Sequence, residues 1–255
     1  MAYSTIHSLN SKYILPGFIL FLGALFILIS NTTPTFSRQD TGELIAAGYE
    51  LGIPHPPGYP LLVITNKISS ILIPWGNVGY RANIASSLFL ALSILVIFYL
   101  LLMTANQTVC GVLKPGYFAG IISLNFIIFE PVMRNCLLAD SLSLHIFLSS
   151  LLISLALYVY SSKTADARPV CLFFFLLGLS FGNHHTAVLV IPAALYLMRK
   201  TLFGVGFKHY CIFAVFFLAG FSIYIFPYIR SQINPYLNIN DPSSIKNLLG
   251  LITRD

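Results

Sequence analysis

Seven apolar runs, at 13–30, 83–104, 116–133, 139–161, 170–184, 186–199 and 208–229, decide what this chain can fold into. In hydrocarbon every backbone N–H and C=O has to be satisfied inside the segment, so successive apolar runs become helices. Only 9% of the residues are charged, whereas a soluble domain carries about a quarter. The expectation is an all-α polytopic membrane protein with about seven transmembrane helices, each needing roughly 20 residues. That accounts for 1–255 as one membrane domain with no separate soluble unit. The first run also fits a cleaved signal peptide, but no small-x-small cleavage site follows it, which favours an uncleaved anchor.

The polar interruptions carry the rest. Residues 31–80 form a large first loop, and within it Gln39–Pro60 reads QDTGELIAAGYELGIPHPPGYP. Three carboxylates, Asp40, Glu43 and Glu50, precede a His-Pro-Pro-Gly stretch in a chain otherwise poor in charge. A short helix is expected from Asp40 to Leu51, stopped by Gly52 and Pro54. Pro54, Pro56 and Pro57 cannot propagate a helix, so the backbone there is extended and stiff. A second, interfacial amphipathic helix is expected from Tyr59 to Ile73, because Asn66 and Lys67 interrupt its apolar face. Trp75 follows at an interface position. The runs 170–184 and 186–199 are short and meet at Gly182-Asn183-His184-His185, a break of the kind tolerated only where it faces protein or water. Residues 230–255 read as an outer polar tail rich in Pro and Asn.

The net charge of +6 is spread thinly and no Lys/Arg cluster occurs, which excludes nucleic acid as a partner. The charge instead encodes topology. With a cytoplasmic N-terminus, one set of loops holds Lys12, Lys114, Lys163, Arg168, Arg199, Lys200 and Lys208 with one acid, Asp166. The opposite face takes the other acids, among them Asp40, Glu43, Glu50, Glu130, Asp140, Asp241 and Asp255, as the positive-inside rule requires. An impermeant thiol reagent should then reach Cys136 from outside and not Cys110. The four cysteines (Cys110, Cys136, Cys171, Cys211) form no C-x-x-C and suggest apolar filler, not a disulfide framework or zinc site.

Each polar candidate has a plain reading and a chemical one. Asp40-Thr41-Gly42-Glu43 has the spacing of a capping box. It equally offers a general base, since carboxylates one turn apart resist joint ionisation. His55 and Tyr59 stand on a stiff turn and would serve as positioned donors to an anion. Arg81 and Asn83 open the second span, where Arg81 reads as a snorkelling anchor. Glu130, Arg134 and Asp140 flank the next outer loop, where ion pairing among them is the simple explanation. His184 and His185 point apart on a helix and lack a third metal ligand at suitable spacing. Arg230 reads as a topological stop or as a bidentate phosphate clamp.

At these residues the chain resembles a family. DTGE, GIPHPPGYP, NVGYRAN, GLSFGNHHTAVLVIPA and the tail YIRSQINPYLNINDP ending in ITRD are similar, in that order, to the domain of unknown function 2723 family, over about 13–255. That family resembles the transmembrane protein O-mannosyltransferases of the GT-C glycosyltransferase superfamily. The resemblance implies a GT-C-like helical core, with the active site in a large first outer loop bearing short amphipathic helices. It implies inverting transfer of a hexose, mannose first among them, from a polyprenyl-phosphate donor to Ser/Thr of an exported acceptor protein or peptide. It implies Asp40 as the base, with Glu43 orienting it or sharing the role. His55, Arg81, His184 and Arg230 compete for the carrier phosphate, and Tyr59, Asn83, Arg134, Asp140 and Asn234 complete the substrate-binding set. Membrane lipid is the surrounding partner, no metal ligand is assigned, and the need for a divalent metal stays open. The host membrane is a bacterial inner membrane or, in a eukaryote, that of the endoplasmic reticulum, with the active face outside or lumenal.

Two departures stand out. Where the family has Ala-Glu-Val-Tyr, this chain has Ala139-Asp140-Ser141-Leu142. Family members are also longer, so the expectation is a truncated or minimal module, or one completed by a partner chain. Two other readings compete: a non-catalytic module that binds lipid-linked sugar or scaffolds a partner, and a small transporter. The acids gather on one face and do not line a midplane path, and inverted repeats are not evident, which argues against transport.

Overall fold

The structure, a computed structural model, describes residues 2–37, 40–108, 115–162 and 166–254. Gln39, Cys110, Lys114, Lys163 and Asp255, all used in reading the sequence, lie outside the described residues, as does the side chain of Cys136. The order of helices is α1 Ala2–Ser30, α2 Thr41–Glu50, α3 Pro60–Leu72, α4 Val78–Thr108, α5 Pro115–Ile128, α6 Glu130–Cys136 and α7 Ser141–Ser161. There follow α8 Arg168–Phe181, a 3-10 segment His185–Val190 leading into α9 Ile191–Phe203, α10 Phe207–Phe221, α11 Ile225–Ser231 and α12 Ile245–Thr253. The chain is an all-α polytopic membrane protein.

Among the described residues, five helical stretches are long and apolar enough to cross a membrane: Ser11–Ser30, Val78–Thr104, Ser141–Ser161, His185–Phe203 and Phe207–Ser231. The two other runs of the sequence are shorter than expected. The run 116–133 breaks where Phe129 turns extended, and a new helix starts with Pro131 in its first turn, the one place a helix accepts proline. The run 170–184 becomes the 14-residue α8, only about 21 Å long at 1.5 Å per residue. A hydrocarbon core is roughly 30 Å thick.

Close backbone contact holds the second half of the bundle. A Cβ on Gly178 would lie 2.1 Å from the Phe217 carbonyl oxygen, and one on Gly220 would lie 2.0 Å from that of Phe175. α8 and α10 therefore touch backbone to backbone, as small residues allow in membranes. Around this crossing Leu152, Val170, Phe173, Met198 and Phe213 form a buried core. In the first half Ala24 and Leu28 of α1 pack on Leu90, Ala91 and Ile94 of α4.

The tail is more ordered than its composition suggests. Ile53 N–H donates to Leu237 O at 2.7 Å and Ile239 N–H donates to Ile53 O at 3.0 Å, so the tail pairs with the first loop. Ser244 then caps α12, a helix the Asn- and Pro-rich composition concealed, by accepting from Asn247 N–H.

Candidate functional site

The acidic helix α2 forms where the spacing of QDTGEL requires, but its N-terminus is not a capping box. Asp40 has helical φ and ψ and makes no side-chain capping bond. Glu43 is directed elsewhere. Its carboxylate accepts the His55 backbone N–H at 2.6 Å and lies 3.1 and 3.2 Å from His55 Nδ1. Asp40 Oδ2 stands 3.8 Å from His55 Nε2, on a side chain 65% exposed. The imidazole is thus held between two carboxylates, one half-buried against it and one open to solvent.

The loop reaches this geometry through local backbone chemistry. Gly58 N–H closes a turn on His55 O at 2.9 Å. Gly58 has φ 78, where side chains are strained, and a Cβ on it would sit 2.8 Å from Leu251 Cδ2. Tyr59, also left-handed at φ 41, launches α3 with Pro60 at its first position. Its phenol oxygen lies 3.3 Å from His55 Nε2. Burial pushes the Tyr59 phenol up; the Arg254 charge pulls it down, and Asp140, Asp40 and Glu43 reinforce the rise.

The opposite wall comes from the start of α7 and the turn after α8. Asp140 caps α7 by accepting the Ser141 N–H. Asn183, fully buried, donates to Ser141 O at 3.0 Å and ties the two elements together. The His184 ring packs 6.5 Å from that of Tyr59 and 5.4 Å from that of His145. Burial lowers the His184 pKa, Arg254 lowers it further, and Asp140 opposes both. His185 points the other way, with Nε2 3.1 Å from the Tyr224 hydroxyl. Among the described residues no three His, Cys, Asp or Glu side chains gather as a metal group.

Asp40, Glu43, His55, Tyr59, Asp140 and His184 therefore meet at one end of the bundle. Five other candidates are occupied elsewhere. Arg81 donates to Gly76 O at 3.1 Å and Ser70 O at 2.8 Å, pinning the turn after α3. Arg230 donates to Leu51 O at 2.7 Å and Glu50 O at 3.0 Å, satisfying the open carbonyls at the end of α2. Asn83, fully buried, donates to Thr33 O and Thr35 O and accepts from Ala139 N–H, so it staples the first loop to the residue before Asp140. Arg134 pairs with Glu130 at 3.9 Å on the surface. Asn234 belongs to the tail, where it accepts from Asn238.

Among the described residues, a cation whose charge is felt at the site is Arg254, in the ITRD stretch, which sequence reasoning quoted without assigning a role. Leu251, one turn earlier on α12, is fully buried and lies against Gly58, placing Arg254 beside the loop. Its charge acts on Tyr59 and His184, and among the described residues it has no salt bridge. Two further polar groups, Thr186 and His145, also join the site without a signal in spacing or charge.

The family described as Protein O-mannosyl-transferase TMEM260 N-terminal domain matches residues 40–202. The chain is 30% identical over 232 residues to the protein O-mannosyl-transferase TMEM260 of Mus musculus, covering 88% of this chain and 31% of that one. It is 26% identical over 228 residues to the protein O-mannosyl-transferase tmem260 of Dictyostelium discoideum, covering 85% of this chain and 27% of that one. The chain thus spans under a third of the length of these relatives. No solved structure matches it. The match begins at Asp40 and takes in His55, Tyr59, Asp140 and His184, and by it the chain belongs to the TMEM260 N-terminal domain family.

Proposed function

We propose that this chain forms the donor-binding and catalytic part of a membrane glycosyltransferase of GT-C type. The substrate is a hexose, mannose from the names of its relatives, carried on polyprenyl phosphate and delivered to a Ser/Thr hydroxyl of an exported protein. The observation that carries this reading is the convergence of Asp40 and Glu43 on His55, facing His184 and Arg254 at one end of the bundle. That end lies outside or in the lumen by the charge of the loops.

Asp40, the exposed carboxylate, takes the proton of the acceptor hydroxyl. The hydroxyl oxygen bonds to the anomeric carbon from the face opposite the carrier, inverting it. The carbon–oxygen bond to phosphate breaks, and its electron pair leaves with the polyprenyl phosphate. Glu43 holds His55 through its backbone N–H and ring, and His55 in turn fixes the approach of Asp40. Arg254 balances the charge growing on the phosphate, the kind of contribution that supplies most of the rate in such sites. Arg81 and Arg230 hold the loop, each donating two of its five N–H groups to backbone carbonyls.

The test is transfer of labelled mannose from polyprenyl-phosphate mannose to Ser/Thr peptides, by the chain in lipid beside Asp40→Asn. The parent should transfer and the variant should lose about 100- to 10,000-fold, the usual share of a general base. Donor binding without transfer by either protein would make the chain a lipid-linked-sugar-binding module that needs a partner segment for chemistry.

A further inference from the structure

Behind His184 runs a hydrogen-bonded path that the reaction above does not use. Thr186 Oγ1 lies 2.6 Å from His184 Nδ1 and 3.1 Å from His145 Nε2. The Thr186 backbone N–H also points at His184 Nδ1, at 3.3 Å. On the far side of the path, His145 Nδ1 is buried and has no hydrogen-bond partner among the described residues.

These contacts fix a direction. His145 Nδ1 is unpaired in either tautomer, but a proton there would leave Nε2 bare and set two ring nitrogens, His145 Nε2 and His184 Nδ1, against the one hydroxyl proton of Thr186. The His145 proton therefore sits on Nε2 and is donated to Thr186 Oγ1. The Thr186 hydroxyl then donates onward to His184 Nδ1. That nitrogen already faces a backbone N–H, and a proton on it would oppose both donors. Both ends of the path agree: His184 Nδ1 accepts, so its proton is on Nε2. Which ring nitrogen carries the proton is commonly set by the bond the other one makes.

We infer that His145, acting through Thr186, is a positioning residue that locks His184 in the Nε2–H form and so makes it a fixed donor in the site. The donor's ligand is a sugar hydroxyl or phosphate oxygen of the lipid-linked substrate. This last step rests on the glycosyl-transfer reading; the tautomer does not. The role also accounts for a histidine placed inside the span Ser141–Ser161, where a polar ring needs a partner.

The test uses the full chain in lipid with ¹⁵N-labelled histidine, read by NMR, alongside donor binding and transfer. Three variants separate the contributions. Thr186→Val removes the hydroxyl while keeping its shape. His145→Leu removes the donor, and His145→Gln restores a side-chain N–H near the position of Nε2. The parent and His145→Gln should show His184 with Nδ1 bare and Nε2 protonated. Thr186→Val and His145→Leu should show a mixture and bind donor about tenfold more weakly, the worth of one lost hydrogen bond. A protonated Nδ1 in the parent, or an unchanged tautomer in both disrupted variants, would overturn the inference. So would a changed tautomer with undiminished donor affinity. If the parent transfers no sugar yet shows the expected tautomers, the glycosyl-transfer reading falls while the positioning of His184 stands.

Discussion

Asn83 shows how much a single amide does when it is fully enclosed. It serves three backbone groups from two loops and ties Thr33 and Thr35 to Ala139. Asn83→Leu keeps the volume and strands those groups, each worth roughly 1–3 kcal/mol when buried and unpaired. The heat-denaturation midpoint in detergent should fall sharply, and with it transfer, since Asp140 follows Ala139 directly. Arg134→Ala, by contrast, removes an exposed pair 3.9 Å long and should change stability by less than about 1 kcal/mol; a larger loss would mean that Arg134 has a partner beyond Glu130. The same contrast explains what was legible at this scale. Sequence shows that Arg81, Arg230 and Arg254 are charged, but not which guanidinium groups are already engaged by carbonyls. Likewise DTGE shows the spacing of a cap, yet Glu43 finds the better acceptor role against His55, whose backbone N–H the turn leaves free for it.

At the scale of helices, the crossing of α8 and α10 fixes where the turn carrying His184 can stand. Gly178→Val or Gly220→Val would push two backbones apart and should cost at least about 1–3 kcal/mol by overpacking. Gly23 and Gly120 have nothing within 4 Å of a built Cβ. Valine at either should leave the melting midpoint nearly unchanged, and equal losses at all four positions would refute the crossing as the cause. The helices themselves were readable because hydrocarbon permits little else, and α2 and α3 fall within a residue or so of their expected bounds. The run 116–133 was read as continuous because apolarity hides a break made by one extended residue before Pro131. α12 was hidden for the opposite reason: only nine residues long, it lies in a polar tail, and its fully buried side chain, Leu251, packs against the distant Gly58.

Across the whole molecule, the site is built from both ends of the chain. The first loop supplies Asp40, Glu43, His55 and Tyr59; the tail answers with pairing at Ile53, the seat of Leu251, and Arg230 on the end of α2. Arg230→Ala should open the last turn of α2, seen as faster proteolysis between Glu50 and His55 and as weaker transfer with donor affinity less affected. Unchanged cleavage there would show that the tail pairing suffices without the guanidinium. Such closure was beyond sequence reasoning, since no local pattern announces a bond between residues 180 positions apart. It also sets a timetable for biogenesis. The ribosome delivers the acidic loop first, and Arg230, which closes the end of α2, follows only at the far end of the stretch Phe207–Ser231. A chain stalled before that point displays the carboxylates of the first loop while the last carbonyls of α2 still wait for their guanidinium partner.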